Sequence, residues 1–242
     1  MKKEKFNIYK SAEELADQFA DQLMRRIENH SGEIFHLAIS GGKTPDLLFV
    51  ALADKYEHSP LWRNVHFWWV DERMVPPSHP ESNFGVANRL LFSRIELPKG
   101  NIHRIKGEND PEKEAKSYSE QIQENLKMQM SWPVFDLILL GMGDDGHTAS
   151  IFPNQMNLLY SKEICAVATH PISGQKRVTI TGKVINHAQS VIFLVSGENK
   201  SERMNEIFFQ PEIAKFLPAA HILPVSGDLD WLIDESAAKL IM

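Results

Sequence analysis

The chain has 242 residues and a single cysteine, Cys165, which excludes an internal disulfide framework and any metal site built on several thiolates. That cysteine lies in the apolar run ICAVA, the setting of a buried structural thiol rather than a reactive one. No stretch of about 18 apolar residues occurs, so nothing in the sequence reads as a membrane span. The start, MKKEKFNIYKSAEEL, is basic at first but lacks the apolar core of a signal peptide. Positive charge is not in excess: 26 Lys and Arg stand against 32 Asp and Glu, a formal net charge of −6. An acidic chain of this kind lacks the basic stripe that nucleic-acid binding requires, and an anionic ligand would need its cations gathered locally. A cytoplasmic protein with neither a membrane nor a nucleic-acid partner is expected. No Gly/Ser-rich or Pro-rich linker divides the chain and no internal repeat appears, so a single α/β domain over 1–242 is expected.

What is present is an alternation of short apolar runs and amphipathic stretches. Over 11–30, Ser11 offers a cap, Glu14 follows three residues on, and Leu15, Phe19, Leu23 and Ile27 recur every four residues, which predicts a helix. Buried strands are predicted over 34–39, 65–70, 135–140 and 191–195. Thr44-Pro45 reads as the cap and first position of a helix to about 56. Further helices are predicted over 82–93, 111–129 and from about 200. Two shorter strands, 164–169 and 176–181, flank Pro171 and Gly174 and are candidates to pair with each other. A last strand is expected over 222–225, followed by a short helix near 228–238. This order predicts an open, mostly parallel, Rossmann-like sheet with helices on both faces.

The informative residues follow the predicted strands. Ser40-Gly41-Gly42-Lys43-Thr44 follows the first, Asp71-Glu72-Arg73 the second, Gly141-Met142-Gly143-Asp144-Asp145-Gly146-His147 the third and Ser196-Gly197-Glu198-Asn199-Lys200 the fourth. Parallel strands would bring all four segments to one carboxyl edge, where open α/β sheets bind ligands. Gly41 and Gly42 before a helix start suit an anion, through free backbone N–H groups and the helix dipole. Lys43, Arg73 and Lys200 add charge, Arg73 with the bidentate fork that matches a phosphate. Each has a plainer reading as well: a ligand-free turn for the glycines, an ion pair with Asp71 or Glu72 for Arg73, a solvated helix start for Lys200. His147, set directly after Gly146, is the candidate general base, with Asp145 or Asp71 to orient its ring. Its plainer reading is a cap on the helix beginning nearby.

Other motifs fail. GGKT resembles the end of a P-loop, but Leu37 stands where that motif needs its first glycine. GMGDDG fits a dinucleotide glycine pattern, yet the next strand ends in Ala168-Thr169-His170 without the acidic residue that would hold a ribose, and two aspartates would face the pyrophosphate. Asp144, Asp145, His147 and Asp71 match no familiar metal-ligand spacing, and G-x-S-x-G is absent. Neither a metal nor a cofactor is expected. Attack by an activated water is the economical chemistry.

Taken together, these segments resemble the 6-phosphogluconolactonases, which share a superfamily and fold with the glucosamine-6-phosphate deaminases. SGGKTP at 40–45, VDERMVPPSHPESNFG at 70–85, GMGDDGHTASIFP at 141–153, KRVTIT at 176–181, SGENK at 196–200 and DWLIDESAA at 230–238 follow the family's order along nearly the whole chain. One departure is Asp144, which stands where many relatives carry proline. The resemblance implies a phosphorylated sugar lactone as substrate. It makes His147 the base that activates water, with Asp71 and Asp145 positioning it or the substrate's hydroxyls. Arg73, Arg177 and Lys200 would hold phosphate or oxyanion, helped by the N–H groups of Gly41 and Gly42, and Asn83 would hold its loop or contact sugar hydroxyls. Two alternatives remain: an amino-sugar-phosphate deaminase or isomerase, and a sugar-phosphate sensor without catalysis. Against the first, Arg73 stands where deaminases tend to carry tyrosine, and Thr148-Ala149-Ser150 where they tend to carry Ile-Ala-Phe. Against the second, a regulator usually carries an appended domain. The motifs carry no signal on oligomeric state or on association with a preceding dehydrogenase.

Overall fold

The computed structural model describes residues 5–30 and 34–242; the basic start at residues 1–4 lies outside them. Among the described residues twelve strands are formed: β1 (Lys5–Tyr9), β2 (Phe35–Ile39), β3 (Val65–Trp69), β4 (Asp71–Arg73), β5 (Ile102–His103), β6 (Met128–Gln129), β7 (Trp132–Pro133), β8 (Leu137–Leu140), β9 (Cys165–Thr169), β10 (Lys176–Ile180), β11 (Ser190–Val195) and β12 (Asp228–Asp234). Between them lie α1 (Ala12–Glu28), α2 (Lys43–Tyr56), α3 (Asn83–Ala87), α4 (Pro111–Asn125), α5 (Gly182–Asn186), α6 (Ser201–Phe209), α7 (Pro211–Ala214) and α8 (Glu235–Ala238). No helix among the described residues is long and apolar enough to cross a membrane.

Seven strands form one sheet in the order β1-β12-β11-β8-β2-β3-β5, and every neighbouring pair is parallel. Successive side chains of a strand point to opposite faces, so a strand buried at every position must be covered on both. β2, β8 and β11 are buried throughout, which is why they read in sequence as unbroken apolar runs. From β2 the chain steps outward through β3 to β5, then returns to β8 on the other side of β2 and continues to β11 and β12. The direction of winding therefore reverses between β2 and β8, and the crevice at such a reversal is where open α/β sheets hold ligands.

A second sheet, β4-β10-β9, is antiparallel and grows from the end of β3. The expected pairing of 164–169 with 176–181 is its β9–β10 hairpin. Buried Cys165 belongs to β9, and burial pushes its thiol pKa up to about 12, which makes it an inert core residue.

Several boundaries differ from the sequence reading for local reasons. α2 starts at Lys43 with Gly42 in the cap position at φ 122°, so Thr44 does not cap the helix; its hydroxyl meets Ser196 Oγ at 2.6 Å instead. The helix expected over 82–93 forms as α3 continued by a π-helical turn over Asn88–Phe92. α4 ends at Asn125 and gives way to the β6–β7 hairpin. The final assignment was inverted: residues 222–225 form no strand, whereas 228–234 form β12, between β1 and β11, and only Glu235–Ala238 are helical. The alternation Asp228-Leu229-Asp230-Trp231 mimics a polar helix start, while pairing on both edges makes the segment a central strand.

Candidate active site

The loops after β2, β3 and β8 meet β10 at the reversal between β2 and β8. Ser40, Gly41, Asp71, Arg73, Asn83, Gly141, Met142, Gly143, His147, Ala149 and Arg177 line one cleft there, of about 120 Å³. The four segments expected to converge do so in part. The fourth, at 196–200, is not part of that lining and is joined to the others through Thr44–Ser196 and through Lys200–Asp144.

His147 is held by its own loop. Gly143 N–H donates to the His147 carbonyl at 2.9 Å and Gly146 N–H to the Gly143 carbonyl at 3.0 Å, a tight turn in which Gly146 takes φ 79°. The imidazole lies so close over Gly143 that a Cβ there would stand 2.1 Å from Nδ1, so only glycine admits the ring. Asp145 Oδ1 accepts from His147 Nδ1 at 2.5 Å and from the His147 backbone N–H at 3.1 Å. An ionised carboxylate can only accept, so Nδ1 carries a proton, and it is the neutral ring that has its lone pair on Nε2. Burial works to raise the Asp145 carboxyl, but the bonds and charge of His147 outweigh it and hold that carboxyl below its ordinary range. Of the two carboxylates proposed to orient the ring, Asp145 is the one in contact.

Asp71 is buried and serves elsewhere. Its Oδ2 accepts from Ser150 Oγ at 2.6 Å and lies 3.8 Å from Arg177 NH1. Asn83 Nδ2 donates to the Asp71 carbonyl at 2.9 Å, and Asn83 in turn packs on Gly41, where a Cβ would fall 2.0 Å from Asn83 Oδ1. Asn83 thus fixes the β2 and β3 loops against each other as well as facing the cleft. In the sequence Ser150 was named only as part of a contrast with the deaminases and was given no place in the site. It follows Ala149, whose φ of 48° marks a tight turn at the cleft wall, closed by the Ile151 N–H to Thr148 carbonyl bond at 2.9 Å.

Glu72 is the other residue that sequence reasoning missed. Almost fully buried, it accepts from the backbone N–H groups of Arg73, Asn83 and Phe84, each at 2.8 Å, and from Ser82 Oγ at 3.1 Å. It plugs the N-terminus of α3 and so sets Asn83, a role visible in sequence only as an acidic residue beside a later Ser-Asn pair. Burial raises the Glu72 pKa against those backbone bonds.

Arg73 and Arg177 face one another across the β4–β10 ladder. Like charges placed directly opposite are unfavourable unless an anion lies between or beside them. Asp71 supplies part of that charge. Arg73 makes no ion pair among the described residues, its NH1 donating to the Glu81 carbonyl at 2.7 Å, so the ion-pair reading of Arg73 fails. Both arginines have a buried Nε with no hydrogen-bond partner in the described structure, a demand for a further acceptor. Phe152, fully buried, packs against both Arg177 and the His147 ring: its ring centroid lies 4.8 Å from that of His147 and 5.6 Å from Arg177 Cζ.

The remaining candidates lie off the cleft lining. Gly42 and Lys43 are exposed at the start of α2, Thr44 is bound to Ser196, and Lys200 is ion-paired with Asp144. Asp234, at the end of β12, anchors the 196–200 loop by accepting from Gly197 N–H with both oxygens at 3.1 Å. Among the described residues, no group of three or more His, Cys, Asp or Glu is arranged to hold a metal ion.

Comparison with known proteins gives the family and the fold. A 6-phosphogluconolactonase of Aggregatibacter actinomycetemcomitans is 47% identical over 207 residues, covering 85% of this chain and 87% of that protein. One from Haemophilus influenzae is 42% identical, covering 96% and 98%. The crystal structure of a protein named devB superposes with a TM-score of 0.94 at 41% identity, covering 99% of this chain and all of that one. Residues 10–231 match the family described as glucosamine-6-phosphate isomerases/6-phosphogluconolactonase, and the chain belongs to that family.

Proposed function

We propose that the protein hydrolyses 6-phospho-D-glucono-1,5-lactone to 6-phospho-D-gluconate, the lactone step of the oxidative pentose phosphate pathway, as a single α/β unit acting in the cytoplasm. The observation that carries this reading is the His147 ring, fixed by Asp145 at Nδ1 and with no hydrogen bond at Nε2 among the described residues, on the lining of a cleft that also presents Arg73 and Arg177.

The chemistry needs three things: a base for water, a partner for the oxyanion and a hold on the phosphate. His147 Nε2 takes a proton from water as its oxygen attacks C1, the lactone carbonyl carbon. The negative charge that develops on the carbonyl oxygen falls to the guanidinium groups and to backbone N–H groups of the β2 loop. The tetrahedral intermediate collapses by breaking the bond from C1 to the ring oxygen, and the imidazolium returns its proton to that oxygen. The carboxylic acid formed then ionises, so each turnover releases one proton. Lys200 holds the phosphate. A positioned general base contributes about 10²–10⁴ in rate and an oxyanion donor about 2.7–4 kcal/mol, sufficient for an activated ester that already reacts slowly with water. Asp71, with Ser150 and Asn83, keeps Arg177 and the β3 loop in place.

The test is proton release in a weakly buffered solution of the lactone. The expected rate is well above the spontaneous one and unchanged by EDTA. A rate equal to the blank rejects the proposal, and ammonia from glucosamine 6-phosphate would point to the deaminase chemistry found elsewhere in the family.

A further inference from the structure

The β8 loop carries adjacent aspartates with opposite partners. Asp145 faces the His147 ring, whereas Asp144 turns to the loop before α6. Asp144 Oδ1 accepts from the Lys200 ammonium and from Asn199 Nδ2 at 2.7 Å, and the Asp144 carbonyl accepts from Arg203 Nε at 3.1 Å. Arg203 is no rival for the carboxylate, since its NH1 is bound to Glu206. The two partners differ in setting: the Lys200 side chain is 17% exposed and the Asp144 side chain 72%. A covered cation is thus neutralised by a carboxylate that still stands in water.

We propose that Asp144 is an internal placeholder for the substrate's phosphate, its carboxylate occupying Lys200 in the free protein and yielding that place when a phosphorylated ligand binds. The inference rests on the reading of Lys200 as a phosphate ligand. Without a partner, the covered ammonium would be an uncompensated charge, costly in the empty site. With Asp144 on it, the site is stable when empty and the exchange is cheap. With its carboxylate side in water, the pair is expected to change the equilibrium by about fivefold at most, and the released carboxylate is already mostly hydrated. A phosphate near its dianionic form brings more charge and three acceptor oxygens to the same point charge, whose flexible four-carbon stem lets it re-aim. The Lys200 bond also holds the Asp144 carboxyl below its ordinary range, so the placeholder stays ionised near neutral pH. Asp144 thereby weakens the grip on every phosphorylated ligand by a similar factor, product included. A lactone without phosphate draws nothing from the exchange.

The experiment compares the wild-type protein with Asp144→Asn, Lys200→Met and the double variant. KM is measured for 6-phosphogluconolactone and for unphosphorylated glucono-1,5-lactone, with inhibition by inorganic phosphate. Asp144→Asn keeps the size and one acceptor oxygen but removes the charge. It is expected to lower KM for the phosphorylated lactone, and the inhibition constant of phosphate, by about two- to fivefold, with no matching change for the unphosphorylated lactone. Lys200→Met is expected to raise KM for the phosphorylated lactone and to abolish the gain from Asp144→Asn in the double variant. If Lys200→Met leaves that KM unchanged, the reading of Lys200 falls and the placeholder with it. If Lys200→Met raises KM but Asp144→Asn does not lower it, the placeholder alone is wrong. If Asp144→Asn weakens both lactones alike, Asp144 is only a tie between loops and the proposal is overturned.

Discussion

At the scale of single residues, the chemistry turns on how one imidazole is presented. His147 would be an ordinary loop histidine without three neighbours: Gly143, which leaves room for the ring, Asp145, which fixes its protonated nitrogen, and Phe152, which packs on its face. The side chain was legible as a candidate base because it ends a glycine loop after an apolar strand. Phe152 was not, since a phenylalanine in an apolar stretch reads as core and its contact with Arg177 exists only once β10 is in place. If Nε2 is the base, His147→Ala should lower kcat by at least about 10² while KM moves by only a few-fold. Steady-state kinetics on the phosphorylated lactone checks this, and a variant that keeps its kcat would pass the role to another group.

At the scale of elements, another set of histidines shows what a sheet position does to a titratable group. His36 on β2, His66 on β3 and His103 on β5 lie in adjacent strands. His66 Nδ1 sits 2.9 Å from His103 Nε2, Trp68 Nε1 donates to His36 Nδ1 at 3.2 Å, and the His103 ring stacks on Trp68 at 3.9 Å. Lys127 and His30 add positive charge near His36, and Asp136 faces His30 at 3.7 Å. Burial, reinforced by the mutual repulsion of the imidazoles, lowers His36 and His103 from 6.5 to about 4. Burial lowers His66 as well. The unfolded chain therefore binds more protons than the folded one between about pH 6.5 and 4, so the stability these rings contribute is full above that window and lost as pH falls through it. Thermal unfolding should show Tm falling across the window, and His103→Phe, which keeps a ring against Trp68, should make the fall shallower. Parallel Tm curves for the two proteins would show that carboxylates alone drive the loss. In sequence His36 and His66 fell in predicted strands and His103 did not, and nothing there joined the three, because their proximity depends on register between strands far apart in the chain. The same limit explains β12. Its period of two was readable, but its place between β1 and β11 was not, and a segment with three aspartates looks like a surface element until both edges are paired.

At the scale of the whole molecule, the fold class and the edge at which the loops meet were legible, because apolar strands each followed by glycine and charge leave few arrangements of a parallel sheet. What the sequence could not supply was the division of labour among the charges. Arg177 came from the family resemblance alone, yet the β4–β10 register sets it opposite Arg73. Lys43, exposed at the start of α2, is not part of the cleft lining despite lying in the most suggestive anion loop. Lys200 reaches the assembly through Asp144, a pairing no motif announces. The central claim is that segments around residues 41, 73, 147 and 177 form one site in which an imidazole and an anion cradle act on the same small molecule. A crystal structure of the protein with 6-phosphogluconate bound tests this most directly. The C1 carboxylate is expected within hydrogen-bond distance of His147 Nε2, with the phosphate on Lys200. A ligand seated away from His147, or a carboxylate turned from its ring, would contradict the account.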